Sequence, residues 1–217
     1  MSIIKTGDHM KIEEEVKEYF RDSKPTHDFS HVERVYALCM RIGKKENADL
    51  EVLRLAALLH DIGRIKGDED HEIYSVEIAE EIMNKYNIDE KTKENVIHCI
   101  KSHRYRNNTK PETLEAKILY DADKLDAIGA IGICRAYSFG GENGQKLYRM
   151  EDFLDKGIDL TRKLDHKRHT PVIEYKAKLS RLKDKMLTEE GRRIAEKRHE
   201  FMERFFQRLE REIKGEE

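Results

Sequence analysis

The chain has 217 residues, 40% of them charged and 38% hydrophobic, with 42 basic side chains against 44 acidic ones and a formal net charge of −2. That length is ample for one domain with a sizeable core, and the near-cancelling charge argues against a dedicated nucleic-acid binder. No run approaches the roughly 20 apolar residues needed to span a bilayer, and Cys39, Cys99 and Cys134 stand singly in apolar helical patterns with no CxxC pair, which points to reduced, core-packed thiols in a cytoplasmic protein.

Residues 1–10 are neither apolar nor basic enough for a signal and are expected to be a disordered leader. From there, apolar residues recur at helical spacing. Ile12, Val16, Tyr19 and Phe20 mark a first helix, broken by Asp22, Ser23, Pro25 and Thr26. Val32, Val35, Tyr36, Cys39 and Ile42 share one face of a second, and Val52, Leu55, Ala56 and Leu59 build a third. Gly63 is placed to end that third helix as a C-terminal glycine. Further helices are expected around 73–86, 91–102 and 113–137. A glycine-rich loop is expected over 138–144, and two closing helices over 172–187 and 189–213, the last with a one-sided stripe of Ile194, Phe201, Met202, Phe205, Phe206 and Leu209. That stripe suits either the core or a homodimer. The pattern predicts an all-α protein, with a ligand-rich core over 11–137 and a mobile loop and C-terminal helices over 138–217 completing the same domain.

The chemistry concentrates in the first part. His60–Asp61 ends an apolar helix within Leu58-Leu59-His60-Asp61-Ile62-Gly63-Arg64. An imidazole and a carboxylate at the inner end of a buried helix are costly unless something binds them, and together they suit a first-row divalent metal. His31 opens the second helix. Asp121, Asp123 and Asp126 lie in an otherwise apolar helix, Asp123 and Asp126 near one face and Asp121 rotated away. One of these aspartates with His31, His60 and Asp61 makes a four-ligand set that leaves coordination positions for water and substrate.

The wording around these residues resembles the HD superfamily of metal-dependent phosphohydrolases. It includes His27-Asp28-Phe29-Ser30-His31, Ala56-Ala57-Leu58-Leu59-His60-Asp61-Ile62-Gly63-Arg64, His71-Glu72-Ile73-Tyr74-Ser75 and the run Asp121 to Gly132. The match is to a bacterial and archaeal subfamily of small HD hydrolases, some of them nucleoside triphosphate pyrophosphohydrolases. The resemblance implies an HD-domain helical bundle with extra C-terminal helices. It implies a metal held by His31, His60, Asp61 and Asp123, with manganese the first expectation and iron, cobalt, nickel, zinc or magnesium also suited. The implied reaction is hydrolysis of a phosphoester or phosphoanhydride of a small phosphorylated molecule, in first place a nucleotide.

In that reading Asp61, Asp126 and Lys124 are the catalytic candidates beside the metal. Arg64, His71, Lys101, His103, Arg104 and Arg106 are the candidates for holding substrate phosphates, since arginine grips phosphate bidentately and lysine acts as a point charge. His71 and His103 also stand where some HD enzymes hold a second metal. The Gly-Tyr-Pro signature of the cyclic-dinucleotide subgroup is missing from the sequence. Phosphodiesterase or 5′-nucleotidase activity is the alternative within catalysis, and a nucleotide- or metal-sensing binding module with vestigial activity is the alternative outside it.

Overall fold

In the computed structural model of the protein the described residues are 6–21, 28–67, 71–104, 109–153 and 169–216. They are helical, with no strand among them. The chain divides into two compact units, residues 1–123 and 124–217. The division lies at Asp123–Lys124, ahead of the boundary expected near 138.

In the first unit, α1 (Thr6–Tyr19), α2 (Phe29–Glu46), α3 (Leu50–Leu59), a 3-10 turn (Ile62–Lys66), α4 (His71–Lys85) and α5 (Glu90–Ser102) precede α6 (Leu114–Asp126), whose residues up to Asp123 belong to this unit. Residues 6–10 are therefore helical, where a disordered leader was expected. Helix starts follow capping chemistry. Asp28, Asp49 and Asp89 each accept backbone N–H groups of the first turns of α2, α3 and α5. Helix α2 is capped by Asn47, whose N–H reaches the Gly43 carbonyl and whose left-handed φ of 58° turns the Ala48 N–H onto the same oxygen.

The core of this unit is aliphatic. Val35 and Ile42 of α2, Leu53, Leu55 and Leu59 of α3, Ile82 and Met83 of α4, Ile100 of α5 and Ile118 and Leu119 of α6 are buried. Helix α2 packs on α3, α3 on α5, and α4 on both α5 and the 3-10 turn. Each such side chain contributes about 1.5–3 kcal/mol relative to exposure, which offsets the cost of burying polar groups at one end of the same helices.

Gly63 does not end α3. The helix stops at Leu59, and Gly63 lies inside the 3-10 turn. A Cβ there would meet the His71 carbonyl oxygen at 2.2 Å and the Ser75 nitrogen at 2.4 Å, so only glycine lets the turn press against the first turns of α4. The Gly63 N–H donates to Ser75 Oγ at 2.9 Å across that contact.

In the second unit the expected 113–137 helix is two helices. After α6 the chain turns at Ala127–Ile128, and α7 (Gly129–Glu142) starts from Gly129 at φ 78°. Gly140 and Gly141, expected in a mobile loop, are the last turn of α7; the left-handed residue beyond them is Gly144, at φ 64°. The expected 172–187 helix is a short α8 (Pro171–Ala177) followed by two 3-10 turns, while α9 (Glu189–Lys214) runs as expected. Part of its stripe lines the core of this unit: Ile194, Met202 and Phe206 are buried and Phe206 stacks on Tyr175 at 4.2 Å, while Phe201 is exposed. Cys39 and Cys99 are buried, whereas Cys134 is exposed, against the expectation of a third core thiol.

Candidate metal centre

The site lies in the first unit, where the ends of its helices converge. His31 is in the first turn of α2, held there by a backbone bond to Asp28 and by the Asp28–Ser30–Arg34 chain of side-chain hydrogen bonds. His60 is the residue just past α3, and Asp61 stands between α3 and the 3-10 turn at φ −110°, ψ 7°. That near-bridge backbone redirects the chain, so two consecutive side chains enter one site. His71 opens α4, His103 caps the end of α5, and Asp123 comes from α6.

Asp61 is the hub. Its Oδ2 lies 3.6 Å from His31 Nε2 and 3.7 Å from His60 Nε2. Its Oδ1 lies 3.0 Å from His71 Nε2 and 3.6 Å from His103 Nε2. His31 and His60 face each other, Nε2 to Nε2, at 3.3 Å, and Asp123 Oδ1 is 3.6 Å from His31 Nε2. His60, Asp61, His71 and His103 are almost entirely buried, as is His31. Two triads, His31–His60–Asp61 and Asp61–His71–His103, each converge closely enough to hold a metal ion.

The ring orientations fit that use. His60 Nδ1 lies 2.8 Å from the Ala57 carbonyl and His103 Nδ1 lies 2.6 Å from the Ile100 carbonyl. A carbonyl only accepts, so each Nδ1 carries the proton and each Nε2 turns a lone pair into the site. Burial pushes His60 down to about 4, against the pull of Asp61 and with the help of His103 and His31, so its imidazole is neutral at neutral pH. Burial alone would raise Asp61, but His60 and Arg64, with His103 and His71 facing its other oxygen, outweigh it and hold the carboxyl well below its ordinary range. A neutral imidazole, as at His60, and an ionised carboxylate, as at Asp61, are the ligand forms a divalent ion requires.

The remaining sequence candidates are placed in several ways. Arg64 Nε donates to Asp61 Oδ2 at 2.6 Å, and Arg104 Nη1 donates to Glu72 Oε2 at 2.8 Å. Lys101 is exposed on α5. Lys124 and Asp126 fall in the second unit, where the buried Asp126 carboxylate accepts from Arg135 at 2.7 Å. Asp121, rotated away in the helical projection, is fully buried. Arg106 lies outside the described residues. Sequence reasoning missed Glu72 and Ser75, which touch the site's neighbours rather than its centre. The signal for Glu72 was its place directly after His71.

Residues 28–128 match the HD domain profile, a span that begins at the α2 cap and runs just past α6. The chain is also 35% identical over 204 residues to the uncharacterized protein YpgQ of Bacillus subtilis, covering 92% of this chain and 91% of that one. The chain belongs to the HD-domain family. Among solved structures, this HD protein is similar to YpgQ in complex with ADP, with a TM-score of 0.74 at 35% identity over 94% of this chain and 97% of that chain. It is also similar to an HD-superfamily hydrolase from Bacillus thuringiensis, with a TM-score of 0.74 at 27% identity over 96% and 97% of the two chains. HD domains bind divalent metals, and the His/Asp cluster of this one can hold such an ion. No helix among the described residues is long and apolar enough to cross a membrane.

Proposed function

We propose that this HD protein is a metal-dependent phosphohydrolase that cleaves a phosphoester or phosphoanhydride bond of a nucleotide. The observation that carries the reading is the division of the Asp61 carboxylate, one oxygen toward His31 and His60 and the other toward His71 and His103. YpgQ, the relative that covers nearly the whole chain, has been crystallised with ADP, which favours a nucleotide over other phosphate compounds.

His31, His60, Asp61 and Asp123 hold the ion, with manganese first among the candidates. A divalent ion in that set lowers the pKa of a water molecule and polarises a phosphoryl oxygen. Asp61 orients the attacking water through the oxygen it turns to the second triad. His71 and His103, whose Nε2 atoms face that oxygen, receive the phosphate being cleaved, and their burial keeps competing water out. Arg64 beside Asp61 and Lys101 on α5 bring positive charge for the remaining phosphates.

One specific observation favours a second reading of the same cluster. Asp61, His71 and His103 by themselves converge closely enough for an ion, so this triad would hold a second metal, and a metal pair stabilises both the attacking and the leaving oxygen. Metal stoichiometry separates the two readings.

The decisive experiment is a panel of nucleotides and phosphate esters assayed with manganese, cobalt, nickel, zinc and magnesium, with products identified by mass. Turnover with manganese and release of pyrophosphate or orthophosphate from a nucleotide is the expected result. Tight nucleotide binding with no turnover under any metal would overturn it in favour of a sensing module.

A further inference from the structure

His71 and His103 come from different helices yet address one oxygen, and their ring centroids are 5.7 Å apart. His103 is oriented within its own helix by the Ile100 carbonyl. That bond fixes the ring on α5 but says nothing of where α5 stands relative to α4. His71 is the first residue of α4. Something must set the gap between the end of α5 and the beginning of α4.

A charged residue follows each histidine directly, and the two pair with each other. Arg104 Nη1 donates to Glu72 Oε2 at 2.8 Å, across 32 positions of sequence. The Glu72 side chain is 9% exposed and that of Arg104 is 23% exposed. This is a tertiary link largely withdrawn from water, unlike the i,i+3 and i,i+4 pairs on the surfaces of α1 and α9. Pairs of the surface kind contribute little. Removing one member of a buried pair leaves an uncompensated charge and forces the neighbourhood to rearrange. The pair also has an electrostatic role. Glu72 directly follows one of the imidazoles that address Asp61, and the Arg104 guanidinium occupies its carboxylate.

We propose that Glu72 and Arg104 form a positioning pair that locks the start of α4 to the end of α5 and so sets His71 and His103 at their distances from Asp61. Arg104 acts through Glu72 and not as a phosphate ligand. The consequence for catalysis rests on the phosphohydrolase reading above; the positioning itself does not.

The test uses the full chain with Glu72→Gln, Arg104→Met, the double variant, and the conservative Arg104→Lys. Ring-nitrogen NMR signals are recorded on metal-free protein, and Mn2+ binding is measured by calorimetry. In both neutralising single variants the His71 and His103 signals move while those of His31 and His60 stay, and Mn2+ affinity falls on the order of 10-fold, the scale for loss of a partner that orients ligands. The double variant recovers part of that loss, because both charges leave together, and Arg104→Lys stays closer to wild type than Arg104→Met. Unmoved His71 and His103 signals, or equal movement of all four histidines, would overturn the proposal. So would a defect confined to the KM of Arg104→Met, which marks a phosphate ligand. If Arg104→Met fails to fold, Glu72→Gln and Arg104→Lys carry the same comparison. Wild-type protein that binds no Mn2+ sinks the metal reading, while the ring-nitrogen signals still decide the positioning.

Discussion

Arg64 Nε donates a 2.6 Å hydrogen bond to Asp61 Oδ2, the same oxygen that faces His31 and His60. The guanidinium thus helps hold the carboxyl ionised and fixes which way it points. Arg64→Ala is expected to weaken Mn2+ binding by about 10- to 100-fold, the usual cost of losing a partner that orients a ligand. Arg64→Lys keeps the charge but loses the planar donor geometry, and should fall between the two. Calorimetric titration with Mn2+ checks both, and unchanged affinity in Arg64→Ala would show that the hydrogen bond is incidental.

His60→Ala and Asp61→Ala should each abolish Mn2+ binding and phosphohydrolase turnover while leaving the far-UV circular dichroism helical. The two side chains sit past the end of α3, outside its hydrogen-bonded ladder. Treating wild type with a chelator should reproduce the loss of turnover, and added Mn2+ should restore it. Full turnover by either metal-depleted variant would contradict the proposed metal centre.

Gly63→Ala tests the contact between the 3-10 turn and α4. The added methyl meets backbone atoms, not a flexible side-chain end. Overpacking of that kind costs about 1–3 kcal/mol, a fall in Tm of roughly 2–12 °C at this size. Ser75→Ala removes the acceptor of the buried Gly63 N–H instead, at about 1–3 kcal/mol. Thermal melts of the two variants measure these costs. A Gly63→Ala melt equal to wild type would mean that the contact gives way freely.

Acid stability should carry a signature of Glu174. Burial alone would raise it, but His169 at 2.8 Å and Lys178 at 2.9 Å bring the carboxyl down to about 2 from an ordinary 4.5. A depressed carboxyl stabilises the fold above its unfolded value, and the benefit is lost as pH falls from about 4.5 toward 2. The stability difference between wild type and Glu174→Gln should therefore be full at pH 6 and shrink progressively below pH 4.5. Denaturant melts across that range follow it; a difference independent of pH would assign the effect to packing.

The sequence made the centre of the site readable and its surroundings much less so. His31, His60, Asp61, His71 and His103 are polar residues at helix ends, a conflict that periodicity exposes, and their ligand atoms converge around Asp61, while Asp123 of α6 reaches His31. Arg104 was equally visible, but its partner Glu72 was not, because a link across 32 positions leaves no periodic trace. Gly63 was misread for a related reason. Glycine after an apolar helix usually signals a left-handed cap, and the close approach of α4, which demands it here, is a tertiary fact. The α6–α7 break hid inside a continuous apolar pattern. The glycines of 138–144 were given turn chemistry, whereas Gly140 and Gly141 are carried by α7.

The carbonyls of Ala57 and Ile100 are among the last acceptors of their helices, groups a helix end must satisfy in any case, and the two histidines just beyond them take that place. Many metal sites orient their histidines with extra carboxylates; these two use peptide dipoles, which add no formal charge. With Asp61 and Asp123 as the proposed anionic ligands, a divalent ion would be neutralised but not overcompensated. A polyphosphate approaching the proposed centre would meet little repulsion from the groups that orient these two histidines.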